Sequence, residues 1–251
     1  MRENSIIAKF GGSILDEKEN LEFTLFQFRK LIDEGVIKNL IIIPGGGFRA
    51  NFIRSLDKQF NFGDDLAHWM AIYAMECNGI DLNQNYSYIQ CYHNLKDIKS
   101  KLKDQTIESF SVFLPYTYLS EEEELPHSWE ATSDSITIYL ANKFDLKNCY
   151  LIKNVDGIYV KIENSKQIRK QISISEFEYF KKENKLALLK PKNKEPRISA
   201  PIDSYALTLL EKYKSSCVLL NGTPPNSRIV EFFTKGDSSD TIYTQIIPTH
   251  T

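Results

Sequence analysis

Lys9 stands near the end of the apolar run Ile6-Ile7-Ala8-Lys9-Phe10, just before Gly11-Gly12-Ser13. A β-branched run that ends this way brings a cation to the end of a strand. Two residues without side chains then let backbone N–H groups come close to a ligand. Such an arrangement suits a phosphate. The spacing is neither Gly-x-x-x-x-Gly-Lys-[Ser/Thr] nor Gly-x-Gly-x-x-Gly, so this is a different loop from those two nucleotide motifs. A second apolar run, Leu40-Ile41-Ile42-Ile43-Pro44, ends in Gly45-Gly46-Gly47. Two strand-to-glycine junctions suggest neighbouring strands that aim glycine loops at one ligand. Further groups able to do chemistry are Asp134 in Ser133-Asp134-Ser135, and Lys153-Asn154 ahead of Val155-Asp156-Gly157-Ile158-Tyr159. Arg54, one to two turns after the triple glycine, has the guanidinium fork that clamps an anion in bidentate fashion. Asp65 and His68 open the next helical stretch.

The elements that must position these groups alternate. Strands are expected at 5–10, 39–43, 86–92, 110–114, 148–152 and 216–220, where apolar, β-branched residues cluster. Helices are expected between them. Residues 20–35 carry Leu21, Leu25, Phe28, Leu31 and Ile32 at helical spacing, with Gly35 as a C-terminal cap. Others are expected at 48–59, at 64–79 (ending at Gly79), at 133–143 capped by Ser133-Asp134, and at 203–213 capped by Asp203. Alternation of this kind implies a largely parallel sheet covered on both faces, with ligands gathering at the carboxyl ends of its strands. Lys9, Gly45 to Gly47 and Asn154 fall at such ends. The stretch 160–200 is rich in Lys, Glu and Asn, including Lys190-Pro191-Lys192-Asn193-Lys194-Glu195-Pro196. It reads as a solvated surface segment or as a lid over nucleotide.

The chain has 251 residues, of which 42% are hydrophobic and 25% charged, the make-up of an ordinary globular protein. A net charge of −2 gives no basic field for nucleic acid, so any phosphate site must be local. Cys77, Cys91, Cys149 and Cys217 lack Cys-x-x-Cys spacing and read as free thiols in a reducing compartment. No apolar run approaches the ~20 residues of a membrane helix, and no signal-peptide pattern opens the chain. A cytoplasmic protein without membrane or nucleic-acid partners is expected.

Taken together, Lys9-Phe10-Gly11-Gly12-Ser13, Gly45-Gly46-Gly47, Ser133-Asp134-Ser135 and Val155-Asp156-Gly157-Ile158-Tyr159 resemble the amino-acid kinase superfamily, in order and spacing across nearly the whole chain. The resemblance implies a three-layer α/β/α sandwich with a mainly parallel central sheet. It also implies one domain, 1–251, with an acceptor-binding lobe over about 1–145 and an ATP-binding lobe over about 146–251. The implied chemistry is transfer of a phosphoryl group from ATP, which needs positive charge and N–H donors more than a covalent partner. Lys9 would then stabilise charge on the β/γ-phosphates, with Asp134 as the organiser and Lys153 as a second cation. Gly11, Gly12, Gly45 and Gly46 would supply backbone donors. Gly11, Gly12, Ser13, Asn154, Asp156, Gly157 and Tyr159 would line the ATP site, with Mg2+ held mainly through the ATP phosphates. Lys153-Asn154 departs from the Thr-Asp of many carboxylate kinases.

Two finer resemblances bear on the acceptor. Ala200-Pro201-Ile202-Asp203-Ser204-Tyr205-Ala206-Leu207 and Leu219-Leu220-Asn221-Gly222 are similar to uridylate kinases. No lysine lies near Ile202-Asp203, where acetylglutamate-type kinases place one, so a phosphate acceptor is expected over a carboxylate. Asp65 to Met75 and Leu125-Pro126-His127-Ser128-Trp129-Glu130-Ala131-Thr132-Ser133-Asp134-Ser135 resemble the methanofuran-pathway kinases and their bacterial C1-metabolism relatives. Those enzymes turn an (aminomethyl)furanmethanol phosphate into a diphosphate. Gly45, Gly46, Gly47, Arg54, Asp65, Trp129 and Glu130 would bind the acceptor, an aromatic ring and a carboxylate suiting a small aromatic amine. Alternatives are a UMP kinase and a non-catalytic nucleotide- or oxyanion-binding member of the family. Homo-oligomerisation is also implied, through the helix containing 64–79 or the one before it.

Overall fold

The computed structural model describes residues 5–103, 109–163, 165–187 and 201–249. In chain order the elements are β1 (Ser5–Phe10), α1 (Gly12–Leu15), α2 (Lys18–Asp33), β2 (Asn39–Pro44), α3 (Gly47–Phe60), α4 (Asp64–Asn85) and β3 (Ile89–Tyr92). Then come α5 (Leu95–Lys103), β4 (Ser109–Phe113), α6 (Tyr116–Glu122), α7 (Ser133–Lys143) and β5 (Asn148–Lys153). The remainder is β6 (Ile158–Ile162), β7 (Ser165–Arg169), β8 (Gln171–Ser173), α8 (Ile174–Lys182), α9 (Ser204–Tyr213), β9 (Ser216–Asn221), α10 (Arg228–Lys235) and β10 (Thr244–Ile247).

Eight strands form one sheet in the order β3-β4-β2-β1-β5-β9-β10-β8. All neighbours pair in parallel except β9 with β10, so the expected mainly parallel sheet is present. The chain leaves β1 for β2 on one side and later returns to β5 on the other. The crevice beside β1 and β5 is therefore the topological switch point, where open α/β sheets receive ligands.

Each face of the sheet is covered. Ile6, Ala8 and Phe10 alternate onto one face with Ile14, Leu25, Phe28 and Ile32 of α1 and α2, and with Ile229 of α10. Ile7 and Leu151 project to the other face with Ile136 and Tyr139 of α7 and Leu207 and Leu210 of α9. These are the three layers of the sandwich. The period of two then dictates where the lysines go. Lys9 follows Ile7 and Lys153 follows Leu151, and Lys9 is in register with Leu151. Both lysines therefore emerge on the α7 face of adjacent strands.

Several elements differ from the sequence expectation. Helix α4 runs through Gly79 to Asn85. A Cβ at Gly79 would lie 2.2 Å from Leu114 Cδ2, so the glycine admits close helix–sheet contact and does not end the helix. The described part of 160–200 is no loose segment. It folds as the β6–β7 hairpin, the edge strand β8 and helix α8, which opens with a Ser173–Glu176 capping box. Buried Val160, Ile172, Ile174 and Phe177 anchor it. The Lys190 to Pro196 run, and with it the question of a lid, lies outside the described residues. Among the described residues no helix is long and apolar enough to cross a membrane, and the four cysteines are free thiols.

Candidate active site

The ends of β1 and β5 converge on one carboxylate. Lys9 Nζ lies 2.9 Å from Asp134 Oδ1, and Lys153 Nζ lies 2.7 Å from Asp134 Oδ2. Lys153 also donates to the Pro201 carbonyl at 2.6 Å. Burial alone would raise the Asp134 carboxyl, but Lys153 and Lys9 outweigh it and hold it well below the usual carboxylate range. Burial pulls the Lys9 ammonium down, and the attraction of Asp134 offsets this only in part.

Asp134 itself caps no helix through its side chain, contrary to the sequence expectation. The N-cap of α7 is Thr132, and the capping oxygens come from Asp203, at the start of α9. Asp203 Oδ2 accepts from Thr132 N (3.0 Å), Thr132 Oγ1 (2.7 Å) and Ser135 N (3.1 Å). Its Oδ1 accepts from Ser135 Oγ (2.5 Å) and from Ala206 N (2.7 Å). One carboxylate thus caps two helices and sets the rotation of α7 that turns Asp134 towards the lysines. Burial and the nearby Asp134 charge push the Asp203 carboxyl up.

The two glycine junctions touch each other, as their order suggested. A Cβ at Gly12 would lie 2.9 Å from Gly47 Cα. The glycines do not all act as expected, however. Gly11 N donates to Ile152 O and Gly45 N to Phe10 O, each at 2.9 Å, because the parallel ladders of β1 continue one residue past the strand ends. Neither N–H is therefore free for a phosphate. Gly45 has another use: a Cβ there would lie 2.8 Å from Phe10 O and 3.2 Å from Lys9 Cε, closing the channel the lysine stem occupies. Asp16, which the sequence did not single out, accepts from the Phe48 backbone N–H at the start of α3. Ser13 lies in α1, and its carbonyl accepts from Asn20 Nδ2 at 2.9 Å.

Beyond β5, Asp156 Oδ1 accepts from Asn221 Nδ2 at 3.1 Å and stands 3.5 Å from Arg228 Nε. Gly157 has φ +150°, and a Cβ there would lie 2.5 Å from Thr244 Oγ1. The Val155-Asp156-Gly157 turn is thereby held beside the end of β9. Asn154 is exposed and Tyr159 half-buried at this edge.

On the other side of Asp134 the expected acceptor residues fall into two groups. The Arg54 guanidinium stacks 4.3 Å over the Trp129 ring, and Trp129 Nε1 donates to Asp57 Oδ2 at 2.8 Å. Asp65 pairs instead with His127 Nδ1 at 2.7 Å. The Glu130 side chain is exposed, while its carbonyl accepts from Tyr205 N at 3.3 Å. Asp57 and Asp203 were not legible as partners of Trp129 and Thr132. Nothing in their local sequence marks residues 72 and 71 positions away as neighbours.

A cation pair on one carboxylate, at the switch point of a parallel sheet and beside two touching glycine loops, belongs to a phosphoryl-transfer fold. A model of the amino acid kinase family matches residues 4–205, and the chain belongs to that family as a phosphotransferase. Over 241 residues it is 27% identical to "[5-(aminomethyl)furan-3-yl]methyl phosphate kinase" of Methanocaldococcus jannaschii, covering 96% of this chain and 97% of that protein. Solved kinase structures share the fold. The UMP kinase from Ureaplasma parvum superposes with TM-score 0.66 at 17% identity, over 98% of this chain and 97% of that one. The uridylate kinase from Archaeoglobus fulgidus gives 0.63 at 17%, over 96% and 99%.

Proposed function

We propose that this chain transfers the γ-phosphoryl group of ATP to a small-molecule monophosphate, giving a diphosphate and ADP. The first acceptor to test is an (aminomethyl)furanmethanol phosphate. The observation that carries the reading is the convergence of Lys9 and Lys153 on Asp134 at the ends of β1 and β5. Two ammonium groups against one carboxylate leave positive charge for a polyanion, and burial strengthens its field. The Asp203 charge is taken up by the N-termini of α7 and α9.

In this reading an oxygen of the acceptor phosphate attacks the γ-phosphorus while the bond to the bridging oxygen breaks, with no covalent protein intermediate. Lys9 neutralises charge on the transferring group, Asp134 holds both lysines in place, and Lys153 serves the nucleotide side. Asn154, Asp156, Gly157 and Tyr159 edge the nucleotide site, with Gly12 and Ser13 at the glycine junction. Both Asp134 oxygens face ammonium groups, so the cluster suits Mg2+ carried by the ATP phosphates and water; there it would screen phosphate charge. The acceptor lies towards Gly46, Gly47, Arg54 and Trp129, with Asp65 and Glu130 at its rim. In this reading about residues 1–145 would make the acceptor lobe and about 146–251 the nucleotide lobe of one domain, working in the cytoplasm where ATP is supplied.

A panel of monophosphates with ATP-Mg2+, read by ADP release, tests this. Turnover with the aminomethylfuran phosphate, abolished in Lys9→Ala, is expected. Turnover with UMP alone would replace the acceptor. ATP binding without ADP release on any monophosphate would make the chain a binding protein.

The chain further acts as a homo-oligomer through α3 and α4. Helix α3 buries none of its residues, and Phe48, Phe52, Phe60, Leu66 and Tyr73 stand exposed along the pair. Light scattering should show a dimer or larger assembly that Phe52→Glu dissociates; a monomer at all concentrations rules this surface out.

A further inference from the structure

Beside the Trp129 segment, His68, Glu123 and His127 bring their side chains together. His68 lies on the first turns of α4, and Glu123 and His127 follow α6. His68 Nε2 stands 3.0 Å from both Glu123 oxygens, and His127 Nε2 stands 3.3 Å from Glu123 Oε2. One ligand atom from each of the three residues lies within 4.8 Å of the others. The side chains of His68 and Glu123 are only 3% and 4% exposed. The two imidazoles stack at 4.3 Å, and Trp69 packs its edge against both.

We propose that these three side chains bind a divalent transition ion of the zinc type, with Asp65 as the carboxylate that orients His127. The ring of His127 shows why. Its Nδ1 is 2.7 Å from Asp65 Oδ1, so Nδ1–H donates there. The lone pair of the neutral ring then lies on Nε2 and points at the Glu123 carboxylate. Two lone pairs facing each other at 3.3 Å call for a cation between them. Glu123 meets the same need at its other side, since both its oxygens face the single Nε2 of His68, which offers a lone pair to an ion when that ring carries its proton on Nδ1. An ion between the three resolves both.

Two imidazole nitrogens and a carboxylate oxygen form a donor set for zinc, whereas magnesium and calcium require a shell of oxygens. Tetrahedral zinc with bonds of ~2.0 Å sets its ligand atoms ~3.3 Å apart, close to the 3.0 and 3.3 Å that separate Glu123 Oε2 from His68 Nε2 and His127 Nε2. A histidine ligand that donates its other N–H to a carboxylate, as His127 does to Asp65, is the usual outer-shell arrangement of such centres. The side chain of His127 is 30% exposed, which leaves a fourth position open to water. The ion ties the segment that carries Trp129 to the start of α4, and so stiffens the wall beside Arg54.

The test uses the full chain, stripped with a chelator and dialysed against Zn2+, with bound metal quantified. Co2+ substitution reports geometry through its visible bands. About one ion per chain and four-coordinate Co2+ bands are expected. His127→Gln should weaken binding at least tenfold, and Asp65→Asn roughly tenfold while keeping the stoichiometry. His93→Gln, outside the cluster, should bind as the unsubstituted chain does. His127 is partly exposed, so its variant should fold, and circular dichroism checks this; if Glu123→Gln does not fold, His127→Gln decides. Absence of bound ion at ~10 μM free Zn2+ overturns the proposal, as does a folded His127→Gln that binds as tightly as the parent; a proton then bridges Glu123 and His127.

Discussion

Lys9 and Lys153 reach Asp134 from adjacent strands whose register fixes both, whereas Arg54 and Asp57 reach Trp129 from a helix that buries none of its residues. The first cluster is enclosed: the side chains of Lys9 and Asp134 are 8% and 5% exposed, and Asp203 ties down the helix that carries the carboxylate. The second is open, and its parts meet across a segment without regular structure. Strand ends in a packed sheet place a charge precisely and leave little room to change it. Helix faces and connecting segments allow change at small cost to the fold. In the proposed reaction, charge handling would fall to the first kind of construction, and recognition of the acceptor to the second.

The contrast can be broken most sharply at Asp134. Asp134→Ala leaves the buried Lys9 ammonium and the partly buried Lys153 ammonium without their shared carboxylate and should destabilise the chain by about 3–5 kcal/mol, as chemical denaturation would register. A loss below about 1 kcal/mol would mean that the lysines find other partners and that the cluster is not enclosed. Lys9→Met keeps the stem and removes the charge. It should lower kcat by roughly two to three orders of magnitude while the folded state survives, the scale seen when one preorganised donor is removed. Asp203→Ala removes the cap of two helices and should cost about 2 kcal/mol or more in stability. Kinetics at a temperature where the variant is folded should show a fall in kcat as Asp134 loses its orientation; an unchanged kcat would separate the cap from the site. Trp129→Phe, which gives up the bond to Asp57 and part of the ring surface under Arg54, should cost about 1 kcal/mol or more and appear in the acceptor KM rather than in kcat.

The pH dependence sharpens the same contrast. Burial lowers the Lys9 ammonium below its ordinary value of 10.5. Between the lowered and the ordinary value the folded chain binds fewer protons than the unfolded one, so the contribution of this group to stability rises with pH. Activity should fall over the same range as Lys9 loses its charge. A kcat profile with an alkaline limb below 10.5, alongside an unfolding free energy that does not fall in parallel, fits a buried catalytic lysine. A limb at or above 10.5 places Lys9 in solvent.

Much of this was legible along the chain because it depends on residues close in sequence. β-branched runs gave β1, β2, β4, β5 and β9, helical spacing gave α2, and the glycines after β1 and β2 marked the place where two loops meet. Period-two alternation put Lys9 opposite the face of Ala8 and Phe10 without further information. The strands β6, β7, β8 and β10 were not anticipated: β8 and β10 have three and four residues, and β6 and β7 lie in a stretch whose Lys-, Glu- and Asn-rich composition masked them. Gly79 misled because the signal that ends helices also serves close packing, and only Leu114 tells the two apart.

What the sequence by itself determined is the set of chemical groups and the end of the sheet at which they gather: a lysine before two glycines, a triple glycine after a second strand, an aspartate at the head of an apolar helix. What only the tertiary structure decided is how those groups are held. The N–H groups of Gly11 and Gly45 go to strand ladders, the capping of α7 passes from its own residues to Asp203, and Asp65 turns to His127. The physical reason is common to all three. A polar group takes the partner that the packed layers bring within about 3 Å, and in this sheet those partners come from strands and helices tens of residues away.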